Sequence, residues 1–543
     1  MTAAPTLRQR LNKALERAAS EAGVEGPVPD LEVVRAKSLE FGDFASSSGM
    51  KLARVLRKPP PAIAAELAAR VEAPEATAEA AGGYVNFRLR PAWLRRMIGE
   101  VARAGPKYGA SNAGGGEKLQ VEHLSVNPTG PLHIGHGRGA ILGDALANLL
   151  AFTGHSVERE YYVNDYGTQA HKFGASILAR LRGEEPPEGG YVGDYINEIA
   201  EAARENGVPE TEEDLMQFGL GLMVDRFKAV LEQIRVRYDS WFSEKSLWID
   251  GTAEEAIAIL RDRGLLKEKD GAVWFGPALG EEGGEEEDRV VFRSNGQHTY
   301  FASDLGYLLS RFSKRGFHRV IEVWGSDHHG YVPRMKQATA ALGLEADRLV
   351  VILNQFVTLK EGKMSKRAGR FVTLEELVET VGTDAVRYFY LSRSPDTQME
   401  FDLELAVRQN KTNPVYYIQY AHARLCNIEA TARARFPNGL GGDADLELIG
   451  HPWELDVARL IALWPDVVDE AARLLEPHRI PFYLYELADR VSDFYEAGNR
   501  DGGFRVVVDS AALTRARLEL CRAARACLES GLDIIGVTAP ERM

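Results

Sequence analysis

Two histidines stand where a strand-like segment gives way to a helical pattern. His133 and His136 belong to the run Pro131-Leu132-His133-Ile134-Gly135-His136-Gly137, after a predicted strand at 118–125 and before a predicted helix at 136–152. A helix start attracts phosphate through its free N–H groups and its dipole. On a first helical turn the two imidazoles share a face, from which they can stabilise charge developing on a phosphoryl group. A capping or packing role for the pair stays open, and no ligand spacing around it favours a metal.

A second cluster of possible chemistry is the run Gly362-Lys363-Met364-Ser365-Lys366-Arg367-Ala368-Gly369. Two lysines and an arginine between glycines are typical of a loop that closes over a triphosphate and then releases it. Lysine suits this task because its ammonium binds phosphate oxygens as a compact point charge. Taken alone, the run favours a solvated basic turn, which is common.

The elements around these motifs predict an α/β domain. A strand, a loop rich in proline and glycine, and a helix form the first half of a βαβ unit. The pattern returns with strands at 319–324 and 349–353 around a helix at 333–341, and Thr373 begins a capping box. Between them, residues from about 180 to 290 are interpreted as an insertion that ends in an acidic, solvated loop. From 403 onward the sequence predicts an all-helical bundle.

Composition sets limits on the class of protein. The 543 residues are 45% hydrophobic and 27% charged, which is ordinary for a folded chain and excludes disorder. We find no apolar run long enough to span a bilayer and no secretory signal. The three cysteines form no metal-binding or disulfide pattern, so a reducing cytoplasm is the expected location. The net charge of −14 argues against nucleic-acid binding by the whole surface but allows a localised basic stripe.

The order of the two motifs resembles that of class I aminoacyl-tRNA synthetases, which place them around ATP on a Rossmann-like fold. The flanking residues are most similar to the arginyl-tRNA synthetase family. That similarity extends over nearly the whole chain, in Gly42-Asp43-Phe44-Ala45, residues 121–136, residues 413–424 and residues 539–543. The resemblance implies an α/β Rossmann-like catalytic domain with an insertion, an N-terminal α+β domain and a C-terminal all-α helical bundle.

The resemblance also implies what each part does. Residues 1–112 would bind the tRNA elbow, 113–395 would form the catalytic domain and 396–543 would bind the anticodon. The substrates would be L-arginine, ATP with Mg²⁺, and tRNA(Arg), and the enzyme would act as a monomer without a membrane or a structural metal. Two tyrosines on the first helix of the C-terminal bundle, Tyr417 and Tyr420, could stack on unpaired bases.

Site residues follow from the resemblance one by one. The predicted catalytic residues are His133, His136, Lys363 and Lys366. The predicted ATP-binding residues add Gly135, Gly325, Asp327, His328, Met364 and Ser365. The predicted arginine-binding residues are Glu122, Asn127, His136, Tyr300, Asp304 and His328. Whether Asp327 or His328 contacts the adenosine or the amino acid stays open, although a ligand is expected there because it follows a predicted parallel strand.

Two other functions stay open at this point. A glutamyl- or glutaminyl-tRNA synthetase would carry the same two motifs, but it would need a cationic pocket. Glu122 and Asp304 argue against such a pocket, because a guanidinium is bound by carboxylates. The second alternative is a catalytically inert relative that only binds tRNA, and the intact histidine and lysine motifs argue against it.

Overall fold

The computed structural model describes residues 5–276, 289–360 and 372–543. The described chain divides into two units. The first unit joins the segment up to Ala113 with Arg408–Met543, and the second is Gly114–Val407. The break between them falls inside the Gly/Ser/Asn-rich stretch 109–116. Within the described ranges, no helix is long and apolar enough to cross a membrane.

The N-terminal part of the first unit is a small α+β fold. Its antiparallel sheet has the order β1-β2-β4-β3. Pro60 and Pro91 begin their helices, as expected at a first helical position, where the missing N–H is not needed. The strands are β1 (Val34–Arg35), β2 (Phe44–Ser46), β3 (Ala76–Ala81) and β4 (Tyr84–Leu89), and the helices are α1 (Leu7–Glu21), α2 (Ser48–Leu56), α3 (Pro60–Arg70) and α4 (Pro91–Ala104).

A five-stranded parallel sheet forms the core of the second unit. Its strands are β5 (Lys118–Glu122), β6 (Ser156–Val163), β7 (Ser240–Ser243), β11 (Arg319–Gly325) and β12 (Leu349–Asn354), in the spatial order β12-β11-β5-β6-β7. The chain runs outward from β5 to β7 and then returns to β11 on the other side of β5. A crevice therefore opens beyond the carboxyl ends of β5 and β11, where this class of sheet binds ligands.

Short strands outside this sheet belong to the same unit. The strands β8 (Leu266–Lys269), β9 (Ala272–Phe275) and β10 (Val290–Phe292) form an antiparallel sheet, and β13 (Val357–Leu359) pairs with β14 (Met399–Phe401) in parallel. The stretch from about 180 to 290, predicted as an insertion, also supplies β7, which pairs with β6 at the edge of the central sheet. Its acidic run 281–288 lies outside the described residues.

The helices of the second unit cover both the sheet and the site. They are α5 (Ile134–Phe152), α6 (Thr168–Leu181), α7 (Asp194–Glu205), α8 (Glu212–Gln233), α9 (Glu244–Ile249), α10 (Thr252–Asp262), α11 (Tyr300–Leu309), α12 (Val332–Ala341), α13 (Leu374–Val381), α14 (Thr383–Leu391) and α15 (Leu403–Ala406). Helix α11 continues as a π-helical turn at Ser310–Lys314. The capping box predicted at Thr373 is present.

The C-terminal part of the first unit is helical, as the periodicity predicts. Its long helices are α16 (Pro414–Arg435), α17 (Pro452–Leu474), α18 (Arg479–Arg500) and α19 (Ala511–Ile534). Trp464 of α17 is fully buried, stacks on Tyr483 of α18 at 4.8 Å between ring centroids, and donates to the Tyr108 carbonyl. This indole therefore anchors two of the long helices and the end of the N-terminal segment.

A buried ion pair joins two helices of the second unit and yields a stability prediction. Asp144 of α5 accepts from Arg387 of α14 at 2.5 Å, and both side chains are almost completely buried. We expect Asp144→Ala to lower the free energy of unfolding by about 3–5 kcal/mol, because it leaves a buried guanidinium without its carboxylate. Denaturant titration followed by circular dichroism measures the change.

The matched control is Glu198→Ala, which removes an ion pair with Arg226 between exposed side chains. That variant should lose less than about 1 kcal/mol. Equal losses in the two variants would contradict the importance of the buried pair.

Candidate active site

The two histidines cap the first turn of α5. His133 is the N-cap residue, and its Nδ1 accepts the Gly135 N–H at 3.1 Å. His136 lies three residues on, and its Nδ1 accepts the His133 N–H at 3.2 Å. The rings stack with centroids 3.4 Å apart. The pair therefore has the capping role that sequence analysis left open, and this role fixes the direction of both rings.

Burial sets the charge of the two rings, and capping sets their tautomer. Burial lowers the pKa of His133, and burial together with the neighbouring His133 lowers the pKa of His136 to about 3. Both imidazoles are therefore neutral at physiological pH. Because each Nδ1 accepts a backbone N–H, the ring proton must sit on Nε2. Each histidine thus offers one N–H donor on the side opposite the cap.

These donors border a cavity at the carboxyl ends of β5, β11 and β12. The cavity measures about 200 Å³ and brings together six of the predicted ATP-binding residues, His133, Gly135, His136, Gly325, Asp327 and His328. Trp324, Asn354 and Phe356 line it as well, and sequence analysis missed them. Gly325 fits its place because a Cβ there would lie 2.4 Å from Oδ1 of Asp327.

The carboxyl group of Glu122 lies buried at the end of β5. Glu122 is 4% exposed and accepts a hydrogen bond of 2.7 Å from Ser125 Oγ. Burial raises the pKa of this carboxyl to about 8, and the neighbouring carboxylate of Glu322 contributes to the rise. A carboxyl group in such surroundings favours a cationic ligand, because the ligand's charge replaces the proton.

Asp304 and Tyr300 lie one turn apart on α11, as their spacing predicts. Burial raises the pKa of Asp304 to about 6, and the Tyr331 hydroxyl donates to its Oδ2. Tyr300 begins the helix and is 42% exposed. The structure therefore places a partly buried carboxyl group and an accessible phenol on the same helix. Glu322 and Arg311 influence both Asp304 and Glu122, so these two carboxyl groups share one environment.

A third buried carboxyl group, Glu244, was missed by sequence analysis. It follows β7 directly and is 2% exposed, and Asn164 Nδ2 donates to it at 3.2 Å. Burial raises its pKa to about 7, and Asp304 contributes to the rise. The signal was available, because Glu244 follows the short segment Ser240–Ser243. Recognition of that segment as a parallel strand would have placed Glu244 at the ligand-binding edge.

Other predicted residues lie elsewhere or outside the description. Asn127 occupies an exposed loop position, where its carbonyl accepts the Thr129 N–H at 2.8 Å. Tyr417 and Tyr420 contact different partners, since Tyr417 packs on Tyr485 whereas Tyr420 stacks on Tyr416. Lys363, Met364, Ser365 and Lys366 lie outside the described residues.

The donor set of the cavity fits a nucleotide-borne magnesium ion. The described residues contain no group of three or more His, Cys, Asp or Glu side chains arranged to hold a metal. Among the residues that line the cavity, Asp327 carries a carboxylate, and its side chain is 59% exposed. Mg²⁺ commonly keeps several waters and is bound by one or two carboxylates together with substrate phosphates. Asp327 is thus the lining residue that would hold a nucleotide-borne Mg²⁺.

Three family models match successive parts of the chain. The arginyl-tRNA synthetase N-terminal domain matches residues 5–89, and the class I tRNA synthetase (R) catalytic domain matches 101–187 and 197–402. The DALR anticodon binding domain matches 418–543. These ranges cover the helical bundle, the parallel sheet and the small α+β fold described above.

Individual relatives are similar to this chain over its whole length. The arginine–tRNA ligase of Syntrophotalea carbinolica is 42% identical over 99% of both chains. That of Moorella thermoacetica is 43% identical, also over 99% of both chains. The solved arginyl-tRNA synthetase of Thermus thermophilus is 25% identical with a TM-score of 0.78, covering 99% of this chain and 100% of that one. The chain therefore belongs to the arginyl-tRNA synthetase family, and its catalytic domain is that of a class I aminoacyl-tRNA synthetase.

Proposed function

We propose that the chain charges tRNA(Arg) with arginine in two steps. L-arginine and ATP form arginyl-adenylate and pyrophosphate, and the arginyl group then passes to the 3′-terminal adenosine of the tRNA with release of AMP. The observation that carries this proposal is the cavity at the carboxyl ends of the parallel strands, bordered by two neutral histidine donors. Buried carboxyl groups suited to a cationic side chain lie on the same sheet and the helix beside it.

The arginine side chain would be recognised by charge. Glu122 and Asp304 are buried acids that need a cation or a proton, and a guanidinium offers up to five hydrogen-bond donors to them. Tyr300 would border the same side chain, and Asn127 would bind the amino acid's α-groups. Glu244 adds a further acid to this side of the site. Burial strengthens each of these interactions, because water does not screen them.

ATP would bind against the start of α5. The N–H groups of the helix start attract its phosphates, and Gly135 allows them to approach the backbone. Gly325 and Asp327 would accept the ribose hydroxyls, and His328 would contact the adenosine or the amino acid. Trp324 and Phe356 line the same cavity and would pack against the base. When bound, Mg²⁺ neutralises phosphate charge.

The chemical step is an in-line displacement. A carboxylate oxygen of arginine forms a bond to the α-phosphorus as the bond to the bridging oxygen of pyrophosphate breaks, and that oxygen keeps the electron pair. The Nε2–H donors of His133 and His136 stabilise the charge that grows on the phosphoryl oxygens. Lys363 and Lys366, with Met364 and Ser365 between them, would bind the leaving pyrophosphate.

The N-terminal and C-terminal domains would bind the tRNA. We assign the elbow to residues 1–112 and the anticodon to residues 396–543. On α16, Tyr420 is 38% exposed and stacks on Tyr416, while the Arg424 guanidinium lies 4.6 Å from its ring centroid. An unpaired base would stack on the exposed Tyr420 ring by displacing the Arg424 guanidinium from its face. Tyr417 would support this face from the neighbouring turn.

We further propose that the chain acts as a monomer in the cytoplasm. The three cysteines, Cys426, Cys521 and Cys527, are free thiols. Free thiols suit a reducing compartment.

The function is tested by aminoacylation of tRNA(Arg) with each of the twenty amino acids. We expect charging with arginine alone. Asp304→Asn should raise the KM for arginine about 100-fold with little change in the KM for ATP, because loss of one partner of a buried charge pair costs about 2–5 kcal/mol. Asp347→Asn, a change at an exposed acid of the same unit, should leave both values unchanged. Charging with another amino acid, or tRNA binding without any charging, would overturn the proposal.

The histidine donors are tested by a pair of variants at His136. In His136→Asn, the amide oxygen can replace Nδ1 in the cap, but no donor remains at the position of Nε2. We expect kcat for arginine-dependent ATP–pyrophosphate exchange, measured with tRNA present, to fall about 10²–10³-fold. His136→Gln carries an amide nitrogen near the Nε2 position and should recover part of that loss. Equal rates in the two variants would contradict the role of the Nε2 donor.

The stacking platform is tested at Tyr420. Tyr420→Ala should weaken tRNA affinity by about 1–3 kcal/mol, which is the value of one stacked base. The KM values for arginine and ATP should not change, because the substitution lies in the first unit. Tyr420→Phe keeps the ring and should keep the affinity, as filter binding would show. Unchanged tRNA affinity in Tyr420→Ala would remove this residue from the interface.

A further inference from the structure

The connection between β5 and α5, residues 123–133, forms one wall of the cavity. The lining residues that it supplies are Leu124, Ser125, Val126 and His133. β5 ends at Glu122, and Leu124 has a φ of 61°, a left-handed turn that takes the chain out of the sheet. Buried carbonyl groups beyond this turn therefore need donors from outside the central sheet.

Backbone bonds inside the connection span two residues each. The Val126 N–H donates to the Leu124 carbonyl at 2.9 Å. The Thr129 N–H donates to the Asn127 carbonyl at 2.8 Å. Pro128, which lies between these turns, carries no N–H. Such local bonds shape the two turns, but they do not tie the connection to the elements around it.

Four phenol hydroxyls tie this part of the chain to other elements. Each donates to a backbone carbonyl group, Tyr238 to His123 at 3.1 Å, Tyr161 to Val126 at 2.7 Å, Tyr195 to Thr129 at 2.8 Å and Tyr390 to Ile134 at 2.7 Å. The four tyrosines come from the segment before β7, from β6, from α7 and from α14. Burial raises the pKa of each phenol, so all four hydroxyls keep their protons and donate at physiological pH.

The two middle bonds hold the part of the connection that lies between the strand and the helix. Tyr161 is fully buried, and its ring packs on Trp241 with 4.6 Å between centroids. Packing therefore fixes its hydroxyl at the carbonyl of Val126, which itself lines the cavity. Tyr195 is half-buried near the start of α7, and its acceptor residue, Thr129, is 6% exposed. The wall is thus held from two different elements, β6 and α7.

Two of the four phenols belong to the stretch from about 180 to 290 that was predicted as an insertion. They are Tyr195 on α7 and Tyr238 just before β7. Through these two hydrogen bonds the stretch supports the wall of the cavity, in addition to supplying a strand of the central sheet.

We propose that Tyr161 and Tyr195 are positioning residues for ATP binding, which hold the β5–α5 connection in the shape that the nucleotide needs. This inference rests on the proposed function, because it takes the cavity as the ATP site. Without one of the two bonds, the wall samples other shapes in the free protein, and only the molecules with the correct shape bind ATP. Bound ATP restores that shape, so the apparent affinity falls while the chemical step keeps its rate.

Arginine-dependent ATP–pyrophosphate exchange by the full chain, with tRNA(Arg) present, tests the inference. Tyr195→Phe and Tyr161→Phe each remove one hydroxyl and keep the ring. We expect each variant to raise the KM for ATP about 2- to 10-fold, which is what one hydrogen bond contributes, with little change in kcat. A purely structural role would lower the free energy of unfolding but leave the KM of the folded enzyme unchanged.

Hydrogen exchange of the backbone amides gives a second readout. In free Tyr195→Phe, peptides that cover residues 123–133 should exchange faster than in the free wild type, because the wall opens more often. Saturating ATP should bring the two proteins to the same rate, since the nucleotide restores the shape. Equal exchange rates in the two free proteins would overturn the inference.

The matched control is Tyr483→Phe in the C-terminal bundle. Tyr483 is also buried and also donates to a backbone carbonyl, that of Leu460 at 3.0 Å. Its loss should lower stability to a similar extent and leave the KM for ATP unchanged. An unchanged KM for ATP in a folded Tyr195→Phe would overturn the inference, whether or not Tyr161→Phe folds. Absence of arginine-dependent exchange in the wild type would instead overturn the proposed function.

Discussion

The geometry of the site depends on how the first turn of α5 is capped. The free N–H groups at a helix start need hydrogen-bond acceptors, and a serine or aspartate cap uses its one polar group for this purpose. Histidine has two ring nitrogens, so His133 and His136 bond the backbone with Nδ1 and keep Nε2–H for the cavity. The need for close packing adds to this constraint. A Cβ on Gly137 would lie 2.6 Å from Leu374, which fixes the helix start against α13.

The second constraint is the cost of burying acids. An isolated buried carboxylate is unfavourable, and the chain places several such groups behind the strand ends. Glu322 and Glu160 have arginine partners, Arg311 and Arg315, while Glu122, Asp304 and Glu244 respond with raised pKa values. The fold therefore carries an unfavourable electrostatic term that a bound cation would relieve. Under the proposed function, selection of arginine by charge would draw on this cost of burial.

Sequence patterns predicted the elements that are long or bounded by clear signals. The helix after His133 was predicted closely, because helical periodicity is unambiguous there. The strand at 118–125 was predicted too long. Leu124 has a φ of 61°, and this left-handed turn ends β5 at Glu122. No pattern in the residue types announces that turn.

Contacts between elements distant in sequence were the hardest part of the site to predict. His133 and Gly325 line one cavity. Each follows or ends a parallel strand, and the carboxyl ends of these strands lie at the same edge of the sheet. Glu244 was missed because β7 has only four residues and was read as part of an insertion. Tyr417 and Tyr420 lie on one helix, and Tyr420 stacks on Tyr416 one turn earlier, a contact that spacing can predict. The Tyr417 ring packs on Tyr485 of α18, a tertiary contact that no pattern in the sequence announces.

Net charge alone does not decide where a polyanion could bind. The chain carries −14 overall, yet a cavity of about 660 Å³ in the first unit is lined by five arginines, Arg96, Arg103, Arg433, Arg515 and Arg522. Three acids face them there, Glu429, Asp443 and Glu519. Charges farther than about 8 Å are screened at physiological salt, so a phosphate group responds to this local excess and not to the total. An acidic chain can therefore bind tRNA wherever its arginines outnumber the carboxylates within that distance.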